Sequence, residues 1–384
     1  MTYDSALFDP TRLSLTITPA TQTQAWQHSR AFATPTSQWN AYLNQLCLQA
    51  LLPWLREDAP QVRSSASAGQ DSIWEVANGS AVTWADRRLV LVPTETIDLD
   101  EIRIPQEWVD IPNWAADYYL AVQVNPDNAW VRVAGFVTHR QLKQFAQLDL
   151  VDRTYCLAES DLITDLNVLW VSQQLTTEVT RAPLATLPTL STPEATNLIQ
   201  RLGNAEVVNP RLAIPFERWA ALLAHGGWRQ QLAEQRRGLP EQHSLRQWLQ
   251  SGISTVAQQW GWSRVDYQLG MAAARSTEGS SPVSALSRIV TIDDGRYELQ
   301  IIPVDAAANI WRFELTSLTP SRLIPTGITL RLLTEDLQPF EGNEDTATST
   351  VERLYIEVAF EPGEGLVWEI EPTPQDYHCE ILRF

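Results

Sequence analysis

The spacing of apolar residues changes along this chain, and that change limits the fold more than any other feature. From Leu286 to the end the spacing is two: Tyr297, Leu299 and Ile301, then Trp311, Phe313 and Leu315, then Ile328, Leu330 and Leu332, then Leu354, Ile356, Val358 and Phe360. Leu366 and Trp368, and Tyr377, Cys379 and Ile381, continue it to the last residues. A period of two belongs to half-buried strands. With Asp293-Asp294-Gly295 as a turn, these short runs predict an antiparallel β-sandwich over 286–384.

Upstream, helical and strand periods mix. Residues 20–33 and 37–55 have helical spacing, the second with Ser37 as N-cap and Trp39, Tyr42, Leu43, Leu46, Leu51 and Leu55 on one broad face. A Gly/Ser stretch over 64–72 precedes strand-like runs at 73–76, 81–84, 88–92, 118–124 and 130–137, punctuated by turn residues such as Asn78-Gly79. Helical stretches at 138–148 and 160–175 complete an α+β domain over 1–178. Prolines and Thr/Ser then mark a linker over 179–210, with a short helix at 193–202. A helical, Trp- and Arg-rich segment spans 211–271, in which Gly226-Gly227 reads as a helix stop, and a second linker covers 272–285. The fold class is therefore α+β multidomain: an N-terminal α+β domain, a helical middle and a C-terminal sandwich, in keeping with a length of 384 residues.

Composition removes several chemistries. Lys143 is the one lysine, and no glycine-rich approach leads to it, so neither a P-loop nor a kinase phosphate lysine can be built. Cys47, Cys156 and Cys379 form no CxxC pair and suit buried reduced thiols. The residues after Met1 lack a signal-peptide core, and no run reaches about 18 apolar residues. A cytoplasmic location without membrane contact is the expectation. The net charge of -18 argues against nucleic acid and anionic lipid as partners. Acids outnumber bases in 1–178 and by 18 to 7 in 286–384, whereas bases lead in between. Opposite potentials could hold the parts together; solvated arginine faces are the plainer reading.

Individual motifs were weighed against ordinary structure. Ala224-His225-Gly226-Gly227-Trp228 resembles the oxyanion loop of lipases, but no G-x-S-x-G elbow exists, and a helix cap is preferred. Asp98-Leu99-Asp100-Glu101 could chelate a divalent ion, yet its alternation with Ile97 and Ile102 suits the wet face of an edge strand. The acidic run 341–345 lacks calcium-loop spacing and reads as a mobile loop. His28, His139, His225, His243 and His378 have no zinc-enzyme spacing, and no G-x-G-x-x-G occurs. No catalytic, metal or cofactor residue is assigned, and no cofactor is expected. Trp219, Trp228, Trp248 and Trp262, beside arginines, are candidates for contacting a partner, with burial in small helical cores as the plain alternative.

The run Ser37-Gln38-Trp39-Asn40-Ala41-Tyr42-Leu43-Asn44-Gln45-Leu46 resembles the Y-L-N-x-L helix of the cyanobacterial family called domain of unknown function 1822. Tyr118 to Gln123 followed by Ala134-Gly135-Phe136-Val137, then Leu212 to Trp219 with Gly227-Trp228, and finally Ser287-Arg288, Leu323-Ile324-Pro325 and Ile381 to Phe384, extend the likeness over nearly the whole chain. The stretch 239–262, with its additional Trp-containing helical pair, departs from the family pattern. The resemblance supplies no catalytic residues. Through genomic neighbours of the family it implies a protein partner, a sigma factor or a caspase-like CHAT-type protease. The reading is a non-enzymatic regulator or adaptor of anti-sigma type, with Arg181 and Arg275 as candidate cleavage points in the linkers. The alternative is an enzyme or small-molecule-binding protein with a cleft between the N-terminal domain and the helical segment, served by Asp98, Asp100, His139 or His225. Nucleic-acid binding by the Arg/Trp segment is a third and weaker option.

Overall fold

The computed structural model describes residues 13–384 except 65–66, 86, 97–98, 176–178, 240–243, 254–256, 259, 268–282, 306–307, 320–322, 376 and 378. In chain order the first part comprises β1 (Ser14–Thr16), α1 (Pro19–Ser29), α2 (Pro35–Asp58), β2 (Arg63–Ser64), α3 (Ser67–Trp74), β3 (Ser80–Trp84), β4 (Arg87–Thr94) and β5 (Glu101–Pro105). It continues through α4 (Gln106–Asp110), β6 (Tyr118–Asn125), β7 (Trp130–Thr138), α5 (His139–Phe145), β8 (Gln147–Asp149), β9 (Thr154–Ala158) and α6 (Leu166–Leu175). Helices and strands are thus mixed over several sheets, as the spacing predicts.

A six-stranded sheet of order β1-β7-β6-β4-β3-β2 organises this part. Only β4 and β6 run parallel, Leu89 facing Tyr118. Both strands are buried along most of their length, which requires cover on both faces of the sheet. α2 covers one face with Ala41, Leu43, Leu46, Leu51 and Leu55. Its N-cap is Thr34 rather than Ser37: Ser37 N–H donates to Thr34 Oγ1 at 3.1 Å and Thr34 N–H donates to Ser37 Oγ at 3.0 Å, a reciprocal capping box with Pro35 in the first turn. Residues 73–76 end a helix and its following turn instead of forming a strand; a short apolar run such as Ile73-Trp74 fits either period. β5 and β9 pair in a second, three-stranded sheet of order β5-β9-β8. β5 is an edge strand in which Glu101 and Arg103 are exposed while Ile102 and Ile104 are buried; Leu99 and Asp100 precede it, and 97–98 lie outside the described residues.

The middle of the chain contains α7 (Thr192–Leu202), α8 (Phe216–Ala224), α9 (Gly226–Arg236) and α10 (Leu245–Ser251). Among the described residues it has no core of its own. Leu198, Trp219, Leu222, Trp228 and Leu232 belong to the N-terminal hydrophobic cluster, whereas Leu245, Trp248, Trp260 and Trp262 belong to the C-terminal one. Nor is it helical to its end, because Trp262–Tyr267 is a strand, β10. The expected unit over 211–271 is therefore divided where α9 ends. Gly226-Gly227 does not stop a helix but begins α9. His225 closes α8 and caps α9, its Nδ1 accepting from Trp228 N–H at 3.1 Å.

The last part holds β11 (Val283–Ile292), β12 (Gly295–Asp305), β13 (Ile310–Ser317), β14 (Thr329–Thr334), β15 (Glu344–Thr346), β16 (Arg353–Ala359), β17 (Gly365–Glu371) and β18 (Leu382–Arg383). Two antiparallel sheets, β10-β11-β12-β13-β16 and β15-β14-β17-β18, share one core, with Leu299, Phe313 and Leu315 from the first and Leu330, Leu332 and Trp368 from the second. Two expectations differ here. The acidic run 341–345 enters β15, whose Asp345 pairs with Leu330. The described residues among 377–381 form no strand; Tyr377 packs on the C-terminal cluster, whereas Cys379 and Ile381 pack on the N-terminal one, which also takes in Leu333 and Val367.

Candidate ligand cleft at the junction of the two cores

Cys379 and Ile381 approach the N-terminal part closely. A Cβ on Gly227 would stand 2.5 Å from Ile381 Cγ1, which would have to shift, and one on Gly226 would stand 3.0 Å from Cys379 Cβ, a tight contact. His225 Nε2–H donates across the same junction to the Glu335 carbonyl at 2.7 Å. Beside this contact the two parts enclose a cleft of about 770 Å³. One wall comes from β2, α3, β3 and β4, another from Trp108, Asn113, Trp114 and the α8–α9 corner, and the third from Thr373, Pro374, Gln375, Tyr377 and Cys379.

The cleft collects cations. Arg63, Arg88 and Arg229 line it, and none of its described lining residues is a carboxylate. Arg87 and Arg88 are consecutive on β4, so their side chains leave on opposite faces. Arg87 donates to Thr180 Oγ1 and lies 3.5 Å from Asp117 Oδ1; Arg88 turns into the cleft, where its Nη1 donates to the Asn113 carbonyl. Arg229, in the first turn of α9, is anchored by Nε–H to Ser72 Oγ at 3.0 Å and by Nη1–H to the Leu223 carbonyl at 2.9 Å, with its guanidinium over the Trp114 ring. Neither Arg88 nor Arg229 forms an ion pair with a carboxylate among the described residues. Burial, and after it the charge of Arg88, lowers Arg229 to about 10, which leaves it protonated at neutral pH. Burial, and after it the charge of Arg181, also lowers Arg88.

The remaining lining is mixed, with the polar side chains of Gln61, Ser64, Thr83 and Thr373 beside apolar ones. Ile73, Trp108, Trp114 and Pro374 supply apolar surface. Asn113 Nδ2 donates to the Ala224 carbonyl and Tyr377 OH donates to the Trp368 carbonyl. Burial pushes the Cys379 thiol up to about 11, an effect only partly offset by the Gly227 N–H and Arg229, so it is not a thiolate at neutral pH. The arrangement can therefore hold a negative group by charge and hydrogen bonds, with apolar surface beside it.

The residues singled out from sequence lie elsewhere. Trp219, Trp228, Trp248 and Trp262 are all buried within the chain and offer no surface to a partner in this conformation. Trp219 Nε1–H donates to Glu107 at 2.7 Å, and Trp262 Nε1–H donates to Glu380. Arg181 is no free linker residue. Its Nη2 meets Asp117 Oδ2 at 2.7 Å, Thr180 Oγ1–H donates to Asp117 Oδ1, and Ala182 N–H donates to His139 Nδ1 at 3.0 Å. Burial raises the Asp117 carboxyl, but the bonds from Arg181, Arg88 N–H and Thr180 outweigh it and hold the group below its ordinary value. Residues 179–182 are thus fastened to the sheet by a buried carboxylate and a buried histidine. Arg275, Asp98, His243 and His378 lie outside the described residues.

Asp100 is exposed ahead of β5, and among the described residues no three His, Cys, Asp or Glu side chains converge as a metal site. His139 donates Nε2–H to the Val109 carbonyl at 2.9 Å, and burial lowers its pKa. His225 is lowered to about 4, again by burial first. Both are neutral structural histidines, and neither lines the cleft. Lys143 donates to Asp110 and Tyr155; burial opposes its charge, but those partners raise it above its ordinary value and keep it an ammonium. Arg88, Arg229 and Trp114 were not singled out from the sequence, because nothing in a linear pattern says which arginines lack an acid. The short run Gly226 to Arg229 was the available signal.

Fold and cleft together define a mixed α+β protein with an arginine-lined cleft where two hydrophobic cores meet. Residues 15–383 match the family described as protein of unknown function DUF1822, and the chain belongs to that family. No curated protein and no solved structure matches it.

Proposed function

We propose that the protein is a binding protein whose cleft takes a small organic anion. One observation carries the reading. In a chain with 46 acidic and 28 basic side chains, the junction cleft gathers three arginines and no described carboxylate. Uncompensated guanidinium groups repel one another and lose hydration, and a bound anion removes both penalties. The volume lies in the range of small-molecule sites, about 300–1,000 Å³. The described lining offers hydrogen-bond donors, apolar surface and a protonated thiol, a set suited to holding a ligand more than to transforming one.

In this reading the N-terminal α+β part, with α7 to α9, and the terminal β-sandwich are two bodies joined at the cleft. A ligand there touches both, so occupancy sets how firmly they are held, which is the input a regulatory protein needs. The test is a thermal-shift panel of small carboxylates, phosphates and sulfonates on the full-length protein and on the Arg88→Gln/Arg229→Gln variant. Stabilisation by some of these anions in the parent and not in the variant supports the reading. Equal shifts in both proteins, or none in either, overturn it.

A further inference from the structure

We propose that the anion bound in the cleft is a phosphate monoester carried on an aromatic or apolar group, a proposal that rests on the anion-binding reading above and narrows it. Charge is the first argument. Three guanidinium groups line the cleft without a described acid. A monocarboxylate would neutralise one of them, whereas a phosphate monoester brings about -1.5 to -2 at pH 7 and three acceptor oxygens.

Donor geometry is the second argument. The Nε and one Nη1 hydrogen of Arg229 are used by Ser72 and Leu223, and its face lies against Trp114, so its fork is held in place before a ligand arrives. Arg88 is fixed through Asn113 in the same way. What remains on both side chains is a set of N–H groups with no acceptor among the described residues, and Arg63 likewise has no ion pair among them. An oxyanion with three oxygens can meet several of these donors at once. Gly226, the first residue of the eleven-residue helix α9, also lines the cleft and adds the positive end of the helix dipole.

The third argument is the space left over. A phosphate group fills a small part of about 770 Å³. Ile73, Trp108, Trp114, Pro374 and Tyr377 give an aromatic or apolar carrier a surface to lie against, with the polar side chains of Gln61, Ser64, Thr83 and Thr373 on the remaining walls. No bond is made or broken in this proposal.

The test is calorimetric titration of the full-length protein in low chloride with phenyl phosphate, inorganic phosphate and benzoate. Phenyl phosphate is expected to bind at least about tenfold more tightly than either of the others, and the Arg88→Gln/Arg229→Gln variant, verified as folded by circular dichroism, is expected to lose at least about thirtyfold. Benzoate binding as tightly as phenyl phosphate overturns the phosphate assignment and leaves the anion reading standing. Inorganic phosphate binding as tightly overturns the aromatic or apolar carrier. Binding undiminished in the variant, or no heat with any probe, overturns the site together with the reading beneath it.

Discussion

The C-terminal core and the junction cleft both hold arginines away from bulk water, and they treat them in opposite ways. In the core, Glu380 is the centre of a closed knot. Arg288 donates to it at 2.7 Å, and the Nε1–H groups of Trp262 and Trp368 donate to it as well, at 3.1 and 2.7 Å. The N-terminal core repeats the device: Arg211 grips the fully buried Glu107, which also receives Trp219, and Arg236 lies 3.3 Å from Glu75. In the cleft, Arg88 and Arg229 meet carbonyls, a hydroxyl and an aromatic face instead. A chain able to pair its internal arginines elsewhere gives these two no acid among the described residues, and that difference separates positions that hold the fold from positions open to a ligand.

The comparison breaks most visibly at its closed end. Glu380→Ala removes the buried carboxylate that Arg288, Trp262 and Trp368 share and is expected to cost about 3–5 kcal/mol, read as a fall in the urea midpoint. A loss under about 1 kcal/mol would show that the knot is not what holds this core.

A smaller effect belongs to the junction and is exposed by pH. His225 has its pKa lowered from 6.5 to about 4, so between these values the unfolded chain takes up a proton that the folded chain refuses. The resulting stability is complete above about pH 6.5 and lost as pH falls toward 4, a change on the order of 2–3 kcal/mol. His139 contributes in the same direction. Urea titrations at pH 7 and pH 5 check this, and His225→Gln should flatten the dependence. An unchanged slope in that variant would assign the effect elsewhere.

Gly227→Ala is expected to cost about 1–3 kcal/mol by overpacking against Ile381. Because it acts where the two cores meet, it should also broaden or split the thermal transition seen by calorimetry. The smallest effect is expected in the cleft. Without ligand, Arg229→Gln should change stability by less than about 1 kcal/mol, since relief of repulsion from Arg88 offsets the two lost hydrogen bonds. A loss comparable to that of Glu380→Ala would place Arg229 among the structural arginines.

How far the sequence discloses all this differs between regions for physical reasons. β12, β13 and β16 are plain because each buries one face over most of its length, and a period of two survives in the residue order. The division of the helical middle is not, because Trp228 and Trp248 look alike in sequence and differ only in which core receives them. Arg181 reads as linker because prolines and threonines surround it, yet Asp117 and His139 that hold it come from distant strands and helices. The arginine cleft takes a wall from Thr373, Pro374, Gln375, Tyr377 and Cys379, which no spacing in the sequence connects to the N-terminal part. Asp100, His139 and His225 drew attention by residue type, whereas Arg88 and Arg229 stand out only through what they fail to meet.

The central claim is that the Arg88 and Arg229 pair binds an anion, and bromide tests it most directly. In a crystal of the full-length protein grown or soaked in sodium bromide, anomalous scattering locates each bound ion without reference to any chosen ligand. The account predicts an anomalous peak within hydrogen-bonding reach of both guanidinium groups. Bromide bound elsewhere on the protein with none in the cleft, or a carboxylate of the chain itself paired with Arg229, would contradict it.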